Sequence, residues 1–306
     1  MEPETSPAYG YLAGLVDRAF QHSGFDALCT LLRVGGMSDA GWDPLAEARR
    51  AFDDFNALLP HAQARGPDAV RRVQLLIYCH AIEMTAGHEL LLNLVRVASG
   101  KKYQVVPFRP LARPKKKKSF GLVPPTAKQK FRTIQELASS SGEPTLSDFI
   151  AGFFSDHVRN AFSHSDYILG EKHFRWMEGT AKQIAIEKVD ELIARCFEFY
   201  SSLLILQVQW LQALAQNGRF HKWPQYEVLE LLTDESKAVC GFSIHFSNGA
   251  KATYERRASG VKAINMRFEK DQTVSFFCGD PNRLEPVHKI NGVPVVNWDS
   301  VEGGGA

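Results

Sequence analysis

Leu203–Leu232 reads LLILQVQWLQALAQNGRFHKWPQYEVLELL, and the hydrophobic period changes inside it. As far as Ala215 the apolar residues fall at helical spacing. They continue a face formed by Val189, Leu192, Ile193, Cys196, Phe197, Tyr200, Leu203, Leu204, Leu211 and Leu214. Beyond Asn217-Gly218 the period drops to two, the spacing of a half-buried strand. A long helix from about Ile184 to Ala215, followed only by strands, makes the fold class α+β.

Downstream, the strands expected are Tyr226–Leu232, Val239–Phe246, Ala250–Arg257, Val261–Phe268, Val274–Cys278 and Val293–Trp298, an antiparallel β-meander. Ser247-Asn248-Gly249 supplies a hairpin turn, because Asn-Gly tolerates positive φ. The alternation implies one packed and one solvated face. No motif in this module points to chemistry.

Upstream, a second long helix is expected over Ala69–Ala98, its stripe made of Val73, Leu76, Ile77, His80, Met84, Gly87, Leu91 and Val95. His80 lies on that stripe with Glu83 beside it, a polar pair at a face that should be buried. Prolines exclude a helix over Tyr103–Pro125, which is expected to be a long loop. A short helix follows over Ala127–Ala138. Another begins near Leu146, capped by Thr145 or Ser147, and runs through Arg159–His164. Tyr167–Met177, turning at Gly170, reads as a small hairpin. The domains expected are a helical N-terminal extension (1–60, with two or three short helices and a linker from Pro60), a helical bundle (61–216) and the β module (217–306).

The totals exclude several classes. With 44% hydrophobic and 23% charged residues over 306 positions, the chain is that of a globular protein. The five cysteines lack metal-ligand spacing and read as buried thiols of a reducing compartment. The opening MEPETSPAYG is too polar for a signal peptide, and glutamines interrupt Leu203–Leu214, so no membrane association and a cytoplasmic location are expected. Neither a metal nor a cofactor is expected. Net charge is only +2, yet Lys101–Arg132 carries eleven Lys or Arg and no acid. Arg113 and Lys115, Lys116, Lys117 and Lys118 form its centre. Basic residues interleaved with Tyr103, Phe108, Phe120 and Phe131 suit RNA, through phosphate neutralisation and base stacking. The plainer readings are a solvated charge run or a targeting signal.

Arg159-Asn160-Ala161-Phe162-Ser163-His164 carries the chemistry. If the helix persists to its end, Asn160 and His164 lie one turn apart on one face, which Asp156 extends backwards. Arg159 lies about 100° to the side, but its long stem can reach the imidazole. Cleavage of a phosphodiester by its own 2′-hydroxyl needs a base that titrates near neutrality and a fixed cation on the phosphate oxygens. His164 and Arg159 are of those types, and Asn160 could orient the ring or hold an oxygen. The plainer reading is a helix end whose Arg and His satisfy terminal carbonyls.

A helix bearing Arg, Asn and His at this spacing, set between long amphipathic helices, resembles the HEPN superfamily (higher eukaryotes and prokaryotes nucleotide-binding). RNAFSHSDY followed by a short excursion and a long final helix is similar to bacterial members. The resemblance covers about Ala69–Ala215. It implies an antiparallel four-helix bundle that forms a homodimer with a composite cleft. It also implies a ribonuclease, in many members a toxin or antiviral defence effector, sometimes restrained by a separate antitoxin chain. Arg159, Asn160 and His164 would be catalytic, with Glu83 and His80 facing them from the first bundle helix. Tyr167 stands three residues after His164, where one toxin group has a modifiable Tyr two after. A HEPN-type fold that binds RNA or a partner without cutting is the alternative.

Overall fold

The computed structural model describes residues 6–34, 43–114, 122–223, 226–245 and 251–255, together with four later strands. Its helices are α1 (Pro7–His22), α2 (Gly24–Leu32), α3 (Pro44–Ala57), α4 (Leu59–Gln63), α5 (Pro67–Glu83), α6 (Thr85–Ala98), α7 (Ala127–Ser140), α8 (Pro144–Phe153), α9 (Asp156–Ser163) and α10 (Ile186–Gln216). The earlier strands are β1 (Arg113–Pro114), β2 (Leu122–Val123), β3 (Tyr167–Leu169), β4 (His173–Glu178) and β5 (Thr180–Ala185). After α10 come β6 (Phe220–Trp223), β7 (Tyr226–Thr233), β8 (Val239–His245), β9 (Lys251–Glu255), β10 (Ala263–Phe268), β11 (Val274–Gly279), β12 (Val287–Ile290) and β13 (Val293–Val296). The chain is α+β. No described helix is long and apolar enough to cross a membrane.

Contacts divide the chain into two units. One holds Met1–His22, Pro44–Lys101 and Pro107–Gln207; the other holds Ser23–Asp43, Lys102–Val106 and Val208–Ala306. Residues 1–60 are thus shared, with α1 packed on α6 in the first unit and α2 on β8 in the second.

In the first unit α6 is the central helix, with eleven of its fourteen residues buried. A helix apolar nearly all round must be surrounded, and α1, α3 and α7 pack on it. The expected single helix over Ala69–Ala98 is two. The chain leaves helical geometry at Met84 (φ −63°, ψ 84°) and restarts at Thr85. Gly87, one turn into α6, sits so close to Tyr200 of α10 that a Cβ would meet its ring at 3.2 Å. A side chain there would require Tyr200 or Met84 to give way by a few tenths of an ångström.

The expected helix from Leu146 through His164 is also two. Pro144 occupies the first turn of α8 and Glu143 its N-cap position, where Thr145 or Ser147 was expected. The break at Phe154-Ser155 is held from inside by Tyr78. Its buried hydroxyl donates to the Phe153 carbonyl (2.9 Å) and accepts from the Ser155 N–H (3.0 Å). Two backbone groups freed by the break are thereby satisfied away from water.

Between α6 and α7 the expected loop contains a 3₁₀ turn at Arg109–Leu111 and the two-residue pair β1–β2. Between α9 and α10 the expected hairpin gains a strand, giving the antiparallel sheet β3-β4-β5. The sequence TAKQIA of β5 carries almost no apolar alternation, and all but Ile184 are exposed.

In the second unit β6-β7-β8-β9 form an antiparallel sheet in chain order, while β10–β11 and β12–β13 pair as separate hairpins. The strands β6 and β12 were not expected. Ser247-Asn248-Gly249 lies outside the described residues. Phe25 of α2 meets Phe242 of β8 edge-on at 5.4 Å. Gly241 is obligatory there, since a Cβ would lie 2.2 Å from the Tyr254 carbonyl oxygen of β9. Cys29, Cys79, Cys196 and Cys240 are buried.

Candidate functional site

Ser155 starts α9 by accepting the Val158 N–H on its side chain (3.3 Å), an N-cap that replaces a missing helical acceptor. Val158 and Ala161 are the buried residues of α9, which packs on α5. The helix ends with His164 as its last-turn cap, whose N–H still bonds the Asn160 carbonyl at 2.9 Å. Ser165 then turns left-handed (φ 57°), and Asp166 donates its N–H back to Ala161 at 2.9 Å. His164 and Asn160 are therefore one turn apart.

The polar side chains of α9 turn two ways, Arg159 standing about 100° round the helix from Asn160. Arg159 is only 15% exposed and its guanidinium forks between Glu83 (3.1 Å) and Asp156 (3.0 Å). Asp156 also takes Lys128 at 3.3 Å. Charge-assisted forks of this kind give Arg a fixed direction. His80 does not join the group. Its Nε2 lies 3.1 Å from the Ala48 carbonyl of α3, and its ring meets Phe55 edge-on. Burial pushes the Cys79 thiol, which points to the Arg159 carbonyl, up to about 12, so it is no thiolate near neutral pH.

Towards Asn160, α9 and the sheet enclose an open cavity of about 170 Å³, lined by His157, Asn160, Ala161, His164, Asp166, Trp176, Met177 and Glu178. His157 lies 2.9 Å through Nδ1 from Glu178 Oε2, which also accepts from Trp176 Nε1 at 3.4 Å. The His157 ring stacks on Trp176 with centroids 5.9 Å apart and planes 25° apart. Tyr167 is held between Phe162 and Phe174, both at 5.3 Å, and belongs to the packing that carries this wall.

Asn160 and His164 thus share a cavity, whereas Arg159 is absent from its lining and is held by Glu83 and Asp156. Sequence reasoning missed His157, Asp166, Trp176 and Glu178. His157 stands seven residues before His164, two turns of one helix, and that spacing was available as a signal. The basic stretch is only partly free. Lys102 pairs with Asp26 and Arg132 with Glu136, while buried Lys130 donates to Thr85 at 2.7 Å. Arg113 is exposed on β1; Lys115, Lys116, Lys117 and Lys118 lie outside the described residues. Among the described residues, no group of three or more His, Cys, Asp or Glu is placed to hold a metal ion. Compared with known proteins, the chain matches no family model, no curated protein and no solved structure.

Proposed function

We propose that this protein is a metal-independent endoribonuclease on a HEPN-like helical bundle, cleaving RNA by 2′-hydroxyl attack and leaving 2′,3′-cyclic phosphate ends. The observation that carries the reading is the pair Asn160 and His164, one turn apart on α9 and facing one open cavity. His164 is exposed and serves as the base; Asn160 holds a phosphate oxygen or the ring. The resemblance adds a homodimer with a composite cleft, a role as toxin or antiviral effector, a possible antitoxin chain and the lysine run as RNA grip.

One observation favours a second reading, a bundle that binds RNA or a partner without cutting. Arg159, the expected phosphate ligand, is engaged by Glu83 and Asp156. In the nuclease reading a phosphate competes with those carboxylates for it, or the arginine only holds α9 in place. The test is a gel assay of total RNA and tRNA in EDTA, comparing wild type with His164→Ala. Cleavage by wild type alone supports the nuclease. RNA binding that survives in His164→Ala, without cleavage by either protein, supports the second reading.

A further inference from the structure

Cleavage by a 2′-hydroxyl moves two protons, and the cavity holds a second imidazole. A base takes the 2′-proton as O2′ attacks phosphorus. The departing 5′-oxygen needs a proton as its bond to phosphorus breaks, because an alkoxide is a poor leaving group. No Lys or Arg is among the described residues lining the cavity, and Arg159 is held by Glu83 and Asp156. The groups there able to carry a proton as a cation are His157 and His164.

His157 is built into its place. Glu178 fixes Nδ1–H at 2.9 Å, which leaves Nε2 as the ring atom available to a ligand. Trp176 holds the ring by stacking, with centroids 5.9 Å apart. The Cα atoms of His157 and His164 are about 10 Å apart by helical rise, with Asn160 between them. Two long side chains pointing into one cavity can reach opposite sides of a phosphate held over Asn160.

We infer that His157 is the general acid of the cleavage step, with Glu178 as its positioning residue, an inference that rests on the nuclease reading above. His164 accepts the proton from the 2′-hydroxyl, the O2′–P bond forms, and the P–O5′ bond breaks. His157 then gives its Nε2 proton to the departing O5′. One proton is taken up and one released, and no co-reactant is needed.

The test replaces the 5′-bridging oxygen by sulfur at one linkage that wild type cuts, in an otherwise identical oligonucleotide. A thiolate leaves without a proton, so that substrate has no use for an acid. His157→Ala is expected to cut the oxygen linkage about 100-fold or more slowly and the sulfur linkage at nearly the wild-type rate. His164→Ala is expected to be slow on both, and Glu178→Gln to show a smaller loss confined to oxygen. His157 is 58% exposed, so its removal leaves the core intact. If His157→Ala is slow on both linkages, its part is binding and the assignment falls. If it is fast on both, the assignment falls while the nuclease stands. If wild type cuts no RNA linkage in the first place, the nuclease reading fails and the acid role goes with it.

Discussion

The first unit gathers polar side chains in two places and treats them oppositely. Where α5, α6, α7 and α9 meet, the charged groups are engaged and His88 is sealed in without a hydrogen bond to either ring nitrogen. Lys130 donates to Thr85, Arg159 forks between Glu83 and Asp156, and fully buried His88 packs edge-on against Phe131 at 4.5 Å. In the cavity between α9 and the sheet, His164 and Asp166 are exposed, and so is His157 although Glu178 and Trp176 hold it. The difference teaches that a basic or catalytic-looking residue in the sequence measures what the chain carries. What a ligand can reach is decided by which neighbours claim it first.

The sharpest way to break the comparison is His164→Ala. It should lower cleavage about 100-fold or more while leaving the denaturation midpoint unchanged, since the group it removes is on the open side. A loss of stability instead would put His164 with the engaged set.

Tyr78→Phe tests the engaged side. Removing the hydroxyl orphans the Phe153 carbonyl and the Ser155 N–H, and should cost about 2 kcal/mol in urea unfolding. Because the same hydroxyl holds the start of α9, cleavage should fall as well.

His88 gives a pH signature. Burial, then the Lys130 charge, push its pKa down to about 3, against a smaller opposing pull from the Ile82 backbone. The unfolded chain binds a proton below about 6.5 where the folded one does not. Stability is therefore full above that pH and is lost as pH falls towards 3. Wild type should lose about 2 kcal/mol more than His88→Leu between pH 6.5 and 5. Equal slopes would show that His88 is already protonated in the folded protein.

Arg159→Met should cost the least, about 1 kcal/mol, because Glu83 is half exposed and Asp156 keeps Lys128. Measured beside cleavage, it separates an arginine that holds α9 from one that a phosphate must recruit.

Much of the fold was legible from local pattern. The face of α10 and the change of period at Asn217-Gly218 are properties of neighbouring residues, and helix and strand follow them. The breaks at Met84 and Phe154-Ser155 were not. The second is held from another helix, where the Tyr78 hydroxyl takes both freed backbone groups. β5 was hidden for a different reason, since an exposed strand needs no apolar alternation. Asn160 and His164 were legible as neighbours because one helical turn relates them, whereas Trp176 and Glu178 reach His157 only through the strand β4.

By itself the sequence determined the α+β class, the helical stretch up to the long helix, and the shared face of Asn160 and His164. All of these depend on residues within a few positions of one another. Tertiary structure alone decided the direction of Arg159, the place of His80 against α3 and the joining of His157 to Glu178 and Trp176. Each involves at least one partner far off in the chain, and a long side chain takes its direction from the partners that satisfy it.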